Sequence, residues 1–302
     1  MLLYILGLIF GLFLLTKSSD IVVESSIKYS QITGITKTAI GAIIISFLTS
    51  LPELIVAIVS SFNREAYIML GNIIGANITN ILLVLGLAAA FFGIKIKERN
   101  KYYEMIFITT LLSLYGIFYG FNFVLGFFSL IIFFLVSKNL LSFRVNSMNE
   151  KKKNKSSYRI LAKIIFFIFL LSLSAEIIVI SLKQISLVLE INKTIISALL
   201  ISFSTTLPEL AVTISSGKKK EHEILIGNIF GSCFVNITLI LAIGMLFSNL
   251  FIGQAELFLF SFLFGTYSLI FFFMFDKKIE RMEGLILLFC YLLFVLLSML
   301  FI

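Results

Sequence analysis

The sequence has no tryptophan, one histidine, two cysteines and two prolines among its 302 residues, and only 13% of its residues are charged. Cys233 and Cys290 lie in apolar stretches without CxxC spacing, which excludes a disulfide framework and a cysteine-pair zinc site. The one histidine, His222, follows three lysines in the polar stretch KKKEHE and is predicted to be a solvated loop residue. A soluble domain carries about twice the 13% of charged residues found in this chain. The composition therefore excludes an ordinary soluble protein.

Apolar residues make up 60% of the chain, and the mean hydropathy is +1.10. Runs of about 20 apolar residues, the length that crosses a bilayer, recur from end to end. We therefore predict an all-α integral membrane protein. The ten predicted spans, five in each half, are 2–30, 36–62, 67–93, 102–119, 122–143, 158–190, 192–217, 222–250, 256–275 and 282–301. The N-terminal stretch lacks a basic region and a cleavage site, so it is predicted to be the first span and not a signal peptide.

The basic residues are placed as in a membrane protein and not as in a nucleic-acid binder. The net charge of +8 is spread over the short gaps between apolar runs. With the N-terminus outside, 20 of the 24 basic residues fall on inner loops. Positive residues favour the inner side. We predict N-out and C-out topology, the lipid bilayer as partner, and no nucleic acid.

The chain repeats itself. SFLTSLPELIVAIVSS, which starts at 46, matches SFSTTLPELAVTISSG at an offset of 156 residues, and GNIIGANITN matches GNIFGSCFVN at the same offset. About half of these positions are identical. Five spans in each half place the second repeat upside down in the membrane. We predict a first repeat at 1–143 with its motif region at 41–86, a cytoplasmic linker at 144–157, and a second repeat at 158–302 with its motif region at 197–244.

Each repeat places a proline and a glutamate in the middle of an apolar span. Pro52 and Pro208 cannot donate a backbone hydrogen bond four residues back, so each is predicted to break its helix and free carbonyl oxygens. Irregular backbone at bilayer depth is tolerated only where it is buried in protein or lines a watery cavity. Glu53 and Glu209 follow directly, and an ionised carboxylate there costs at least about 2.5–3.5 kcal/mol.

No lysine or arginine lies in the core of either motif helix to pair with these glutamates. Both carboxyl groups could be protonated, or one could cap the helix break. A symmetric acidic pair beside freed carbonyls is better explained by a bound cation.

The second motif places matching residues at a spacing of four, on one helix face. They are Asn228, Ser232 and Asn236 in the second repeat, and Asn72, Ala76 and Asn80 in the first, where alanine takes the place of the polar serine. Small-xxx-small pairs at Gly71 and Gly75, and at Gly227 and Gly231, allow close helix packing. The alternative is that the asparagines only join helices to one another.

Together the motifs offer only oxygen ligands. Besides the two glutamates and two asparagines, hydroxyl groups come from Thr49, Ser50, Thr205, Thr206 and Ser232. Calcium takes six to eight oxygens at about 2.3–2.6 Å, and sodium can use the same carbonyls and hydroxyls at lower charge. The residues indicate a hard cation without deciding which, and no further cofactor is expected.

At these residues the chain resembles the calcium/cation antiporter superfamily, specifically the prokaryotic sodium/calcium exchangers, whose repeats carry G-T-S-L-P-E-type and G-N-x-x-G-[SA]-N-type motifs. The resemblance implies a multi-pass protein of the plasma membrane, expected to be a monomer, that exchanges Ca²⁺ for Na⁺ by alternating access and is not an enzyme. The first span of each half would slide past a fixed midplane site. Glu53 and Glu209 would be shared between the two ions, the carbonyls of Thr49 and Thr205 would complete the calcium site, and Asn80 and Asn236 would flank it. Ser232 and the carbonyls of Ser46 and Ser202 would serve sodium.

The chain departs from the family pattern at four positions. Leu48 and Ser204 replace glycine, Ala76 replaces the serine that would mirror Ser232, and Asn236 replaces an aspartate of some relatives. A proton-coupled divalent-cation exchanger stays open, as does a channel that uses the same oxygens. An intramembrane enzyme is disfavoured because neither motif pairs a nucleophile with a histidine base. Asp20, Glu24 and Glu176 line ion pathways or are only interfacial.

Overall fold

The structure, a computed structural model, describes residues 2–63, 66–142, 153–188, 193–247 and 252–301. For 66–67, 153–155, 186–188, 193–204 and 299–301 it describes the backbone alone. Linker residues 144–152 lie outside the described residues, and so does the Ser202 side chain.

The described chain is almost entirely helical. In the first half, α1 spans Leu2–Thr33, α2 Lys37–Thr49, α3 Leu51–Phe62, α4 residues 66–92, α5 Arg99–Tyr119 and α6 Phe123–Ser142. In the second half, α7 spans Lys153–Val188, α8 Lys193–Lys218, α9 His222–Phe247, α10 Gln254–Phe273 and α11 Arg281–Phe301. In the described part of the chain, three π-helical turns interrupt the regular pattern, at Ile40–Ile45 in α2, Asn80–Leu85 in α4 and Asn236–Ile240 in α9.

Among the described residues, seven helices are long and apolar enough to cross a membrane, or eight if the bent pair α2–α3 is one span. The predicted span 102–119 lies within α5, and residues 193–217 of the predicted span 192–217 lie within α8, but neither helix is in that set. The all-helical membrane architecture is confirmed. The count of ten spans and the N-out orientation stay predictions.

Two predicted boundaries differ from the structure. Helix α1 continues to Thr33, where Gly34 ends it with a positive φ of 72° that glycine adopts without strain. Helix α7 begins at Lys153, so residues 153–157 of the predicted linker belong to a helix. Lysine and serine are compatible with a helix once the apolar run that follows is folded.

Large apolar side chains face outward along much of the surface, among them Phe13, Phe118, Phe134, Phe169 and Phe272. Such a surface would aggregate in water and is typical of a protein surrounded by lipid tails. Helices α4 and α9 lie at the centre: 78% and 89% of the residues in their apolar stretches are buried, against 22% in α1. The two motif regions that contain the asparagines are therefore interior.

Helix α1 packs along α7 at very close range. A Cβ atom added at Gly7 would lie 2.8 Å from Ser181 Oγ, and one at Gly11 would lie 2.7 Å from Ile178 Cγ1. A larger residue at either position would have to displace the Ser181 or Ile178 side chain. The long first helices of the two halves thus form one pair, beside the motif helix α8.

Polar contacts join the helices at one end of the molecule, around the turn between α8 and α9. Lys219 Nζ lies 2.7 Å from Glu24 Oε1 of α1, and Ser215 Oγ donates to Asp20 Oδ1 at 2.6 Å. Glu221 binds Lys37 of α2 in the same way, at 2.7 Å. We call this set of contacts the α8–α9 clasp.

The loop after α4 also reaches the clasp. Lys97 Nζ lies 2.8 Å from Glu223 Oε1, and this hydrogen bond raises the pKa of the Lys97 ammonium above its ordinary value. His222, which stands between Glu221 and Glu223 in the sequence, is the first residue of α9 and is half-buried. The prediction of a solvated loop histidine is therefore wrong, because His222 already belongs to α9, whose first residues are half-buried.

A short antiparallel ribbon lies between the same loop and the second half of the chain. Strand β1, Ile94–Lys95, pairs with β2, Lys278–Ile279, so that Ile94 faces Ile279. Arg99 adds a hydrogen bond to the carbonyl of Phe275. The ribbon connects the α4–α5 loop to the α10–α11 loop.

Candidate cation site

Glu53 and Glu209 come together in the centre of the helix bundle, and neither has exposed surface. They are close enough for the charge of Glu209 to act on Glu53. Glu53 belongs to α3 in the first repeat and Glu209 to α8 in the second. The inverted repeat thus brings two acidic side chains that are far apart in sequence to one buried point.

The first repeat positions its glutamate at a helix break. Helix α2 ends at Thr49, α3 begins at Leu51, and their axes differ by 46°. Ser50 joins them with φ −84° and ψ 11°, outside the helical region. Pro52 stands in the first turn of α3, where its missing N–H costs nothing. Glu53 therefore lies at a helix N-terminus, whose dipole favours negative charge.

The second repeat differs from the prediction. Pro208 lies inside α8, which runs from Lys193 to Lys218 as one helix. The break predicted at Pro208 is not present, so the two equivalent glutamates have different backbone surroundings: one at a helix start and one within a helix.

Glu209 is surrounded by hydroxyl groups of both repeats. Ser50 Oγ and Ser232 Oγ each lie 3.4 Å from its Oε1 atom, and the Thr49 hydroxyl group is also close. These bonds are long, and Glu209 Oε2 has no hydrogen-bond partner among the residues that the structure describes. Asn228 Nδ2 donates to the Glu209 backbone carbonyl at 3.3 Å, which fixes the helix and supports the packing interpretation of this asparagine.

Glu53 is less well satisfied. Neither of its carboxylate oxygens has a hydrogen bond of normal geometry to a described residue, although the Thr205 hydroxyl group approaches them. Among the described residues, no ion pair reaches either glutamate. Buried carboxylates without a counter-charge are strongly destabilising unless a cation or proton neutralises them. The geometry of this pair therefore matches a cation site.

The two flanking asparagines occupy equivalent and unusual backbone positions. Asn80 and Asn236 are each the first residue of a π-helical turn. Such turns are frequent at functional sites, because they widen the helix and leave backbone groups free. Within the described ranges, neither amide atom of Asn80 has a hydrogen-bond partner, and Asn236 Oδ1 has none. Both asparagines are completely buried.

The remaining predicted ligands divide into two groups. Thr49, Ser50, Thr206 and Ser232 are buried at the same centre, and Thr205 is half-buried beside them. The carbonyl of Ser46 accepts hydrogen bonds from Ser50 N at 3.0 Å and from Thr49 Oγ1 at 3.2 Å. Its role as a sodium ligand stays a prediction.

The predicted close-packing glycines behave differently in the two repeats. A Cβ atom at Gly231 would lie 2.3 Å from the Ala42 carbonyl oxygen, and one at Gly227 would lie 2.8 Å from that of Thr38. Helix α2 therefore lies directly against α9. At Gly71 and Gly75, no atom of the described residues lies within 4 Å of an added Cβ, so close packing there is not observed.

Sequence reasoning missed Asn77. This residue is completely buried, and its Oδ1 atom accepts a hydrogen bond from Asn236 Nδ2 at 2.9 Å. Its position as the last residue of GNIIGAN could have identified it, but the counterpart in the second repeat is Cys233, which breaks the symmetry of the motif.

Among the described residues, no group of three or more histidine, cysteine, aspartate or glutamate side chains could hold a metal ion in the usual way. The site depends on two carboxylates supplemented by neutral oxygens. Such a donor set is typical of an ion that binds transiently and is released.

Comparison with known proteins places this arrangement among transporters. The sequence profile of the sodium/calcium exchanger protein family matches residues 3–146 and 160–300. The sodium/calcium exchanger MaX1 of Methanosarcina acetivorans is 28% identical over an alignment of 340 positions, gaps included, which covers 95% of this chain and 96% of that protein. The uncharacterized membrane protein MJ0091 of Methanocaldococcus jannaschii is 31% identical over 245 residues, which cover 80% of each chain.

Solved structures of the sodium-calcium exchanger NCX_Mj share the fold. One of them superposes with a TM-score of 0.86 over 97% of both chains, at 28% identity. At that similarity, the two proteins share one overall helix arrangement.

Proposed function

This chain belongs to the sodium/calcium exchanger protein family and is a cation antiporter of the prokaryotic cell membrane. We propose that it exchanges Ca²⁺ for Na⁺ by alternating access. The crystals of NCX_Mj were soaked with Na⁺, Ca²⁺ or Sr²⁺, which is the ion chemistry that we transfer to this chain as a hypothesis.

The observation that carries the proposal is the pair Glu53 and Glu209, both fully buried, close together and without a basic partner among the described residues. Two ionised carboxylates match the charge of one Ca²⁺ ion, and the neighbouring hydroxyl and amide oxygens supply further hard ligands. Two or more Na⁺ ions can use the same oxygens. Competition for one set of ligands is what couples the two fluxes.

We assign roles to the neutral groups as follows. The backbone carbonyls of Thr49 and Thr205 would complete the calcium site together with the carboxylates, and Asn80 and Asn236 would flank it. Ser232, whose Oγ lies 3.4 Å from Glu209 Oε1, would bind sodium on one side. Ser202 would bind sodium through its backbone carbonyl.

Alternating access requires that some helices move past a fixed site. Helices α1 and α7 pack on one another through glycine and serine and lie beside α8, on one side of the glutamates. We propose that this pair slides to open the site to either face, while α4 and α9 remain in place. Exchange follows because the empty site, with two uncompensated charges, crosses slowly.

The proposal is tested by calcium-45 uptake into liposomes that contain the purified protein. An outward Na⁺ gradient should drive uptake, whereas an equal K⁺ gradient should not. Protein-free liposomes and liposomes with a Glu209→Gln variant give the background.

Counter-ion dependence separates the rival functions. Uptake that a pH gradient drives equally well without sodium would indicate a proton-coupled exchanger, in which Glu53 and Glu209 bind protons in place of sodium. Uptake that needs no counter-ion would indicate a channel. Either result would overturn Na⁺/Ca²⁺ exchange.

A further inference from the structure

Asn77 lies beside the proposed ion site, and the exchange mechanism gives it no role. It is fully buried and belongs to α4, whereas its repeat counterpart Cys233 belongs to α9. The two residues contact each other across the boundary between the repeats. Asn77 Nδ2 donates to the Cys233 carbonyl oxygen at 3.2 Å, and Cys233 Sγ lies 3.8 Å from the Asn77 carbonyl oxygen.

The Cys233 carbonyl determines which way the Asn77 amide points. A backbone carbonyl can only accept a hydrogen bond, so Nδ2 of Asn77 must lie on that side. The hydroxyl group of Tyr267, from α10, lies 3.3 Å from the same nitrogen. Oδ1 of Asn77 consequently points the opposite way, as an acceptor.

This acceptor in turn determines the orientation of Asn236. Nδ2 of Asn236 donates to Asn77 Oδ1 at 2.9 Å, so its own Oδ1 must point away from Asn77. That oxygen is buried and has no partner among the described residues. A buried amide oxygen left without a donor is costly unless a ligand uses it.

The equivalent residue of the first repeat has no such support. Among the described residues, neither amide atom of Asn80 has a hydrogen-bond partner. The two flanking amides therefore differ: a side-chain hydrogen bond orients Asn236, and none is seen to orient Asn80 in the described part of the chain. Sequence symmetry alone would not indicate this difference.

We propose that Asn77 is a positioning residue, which holds the Asn236 carboxamide with its oxygen toward the transported cation. This inference rests on the proposed function of the site. Asn77 would not touch the ion. It would supply the outer hydrogen bond that fixes a ligand, a type of contact whose loss typically lowers metal affinity by about 10–100-fold.

A double-mutant cycle tests the proposal. The readout is the half-saturating concentration, the Ca²⁺ concentration that gives half of the maximal rate of calcium-45 uptake. Asn77→Ala should raise the half-saturating concentration about tenfold while the maximal rate is retained. Asn236→Ala should have a similar effect. Because Asn77 acts only through Asn236, the double variant should be no worse than Asn236→Ala alone. Effects that add in the double variant would overturn the proposal.

Cys233→Ala is the matched control for packing. It removes a buried side chain at the same contact but keeps the backbone carbonyl that orients Asn77, so Ca²⁺ affinity should stay within about twofold of the wild type. An equal loss of affinity in Cys233→Ala would show that packing, and not amide orientation, is what matters. Asn77→Ser, which keeps a polar side chain but cannot reach Asn236, replaces Asn77→Ala if the alanine variant does not fold.

Thermal unfolding of the purified proteins, with and without Ca²⁺, separates this inference from the proposed function. A wild-type protein that gains no stability from Ca²⁺ would contradict the proposed function itself. A wild-type protein that is stabilised by Ca²⁺, with an Asn77→Ala variant that responds at the same Ca²⁺ concentrations, would contradict the positioning role alone.

Discussion

At the scale of single residues, the chemistry of this protein depends on carboxylates that ordinary folding would avoid. Glu53 and Glu209 are completely buried, and three of their four carboxylate oxygens have no hydrogen-bond partner among the described residues. A fold that served stability alone would replace them with apolar side chains. Their presence is explained by an ion that enters and leaves.

We expect Glu53→Gln to reduce Ca²⁺ uptake into liposomes by about 100-fold or more, because the variant loses a charge and an oxygen ligand together. The unfolding temperature in Ca²⁺-free buffer should stay the same or rise, since a neutral amide is cheaper to bury than an ion. Glu104→Gln, on the exposed face of α5, is the control and should transport normally. A Glu53→Gln protein that still exchanges at the wild-type rate would contradict the site.

A second prediction concerns the hydroxyl group that the first repeat lacks. Ser232 Oγ lies 3.4 Å from Glu209 Oε1, whereas the counterpart of Ser232 is Ala76. Ala76→Ser should place a hydroxyl group beside Glu53 and lower the half-saturating Na⁺ concentration about fivefold. The half-saturating Na⁺ concentration is measured from the Na⁺-dependent release of calcium-45. Ser232→Ala should shift the Na⁺ dependence in the opposite direction, and no shift in either variant would contradict these sodium assignments.

At the scale of helices, the two repeats are equivalent in sequence and unequal in structure. Pro52 separates α2 from α3 by a 46° bend, while Pro208 is contained in the continuous helix α8. A proline only removes a hydrogen bond and adds a steric clash. Neighbouring helices decide whether the chain bends there, and no local sequence rule contains that information.

The glycines provide a matched prediction at the same scale. Gly231→Ala should destabilise the protein by about 2 kcal/mol, because the added Cβ would meet the backbone of Ala42 at 2.3 Å. Gly75→Ala should leave the unfolding temperature unchanged or raise it, since alanine favours a helix and no described atom lies nearby. Thermal unfolding in detergent measures both. Equal losses in the two variants would show that α4 is packed as tightly as α9.

The sequence was sufficient for much of this architecture, for identifiable reasons. Apolar runs located the helices, and the repeated offset of 156 residues paired Glu53 with Glu209 and Asn80 with Asn236. The π-helical turns at both asparagines were not predicted, because they depend on tertiary packing. The Asn77–Cys233 contact was missed since it joins two positions where the repeats differ.

At the scale of the whole molecule, the α8–α9 clasp closes one end of the bundle. It joins the turn at 218–221 to α1 and α2, and Glu223 at the start of α9 holds the loop after α4. The predicted orientation places this end on the cytoplasmic side. Helix α1, which we propose moves to open the site, is held there by Asp20 and Glu24.

We expect Asp20→Ala to loosen this end. The hydrogen bond from Ser215 to the Asp20 carboxylate, at 2.6 Å, is of the charged type, so its loss should speed amide hydrogen exchange in α1 and in the 212–222 segment about tenfold. Glu24→Gln should have a smaller effect, because the Glu24 side chain is 57% exposed. Exchange that is unchanged in Asp20→Ala would mean that the clasp does not control opening.

The ribbon formed by β1 and β2 has a consequence for how the protein can move. Two pairs of antiparallel strand residues and the Arg99 hydrogen bond join the ends of α4, α5, α10 and α11, so we expect these helices to move together during the proposed transport cycle. Among the described residues, no strand pairing ties α1 or α7 to a neighbour, and the clasp holds α1 through the Asp20 and Glu24 side chains, whose contacts can break and re-form. We therefore expect the movement to be confined to one face of the molecule.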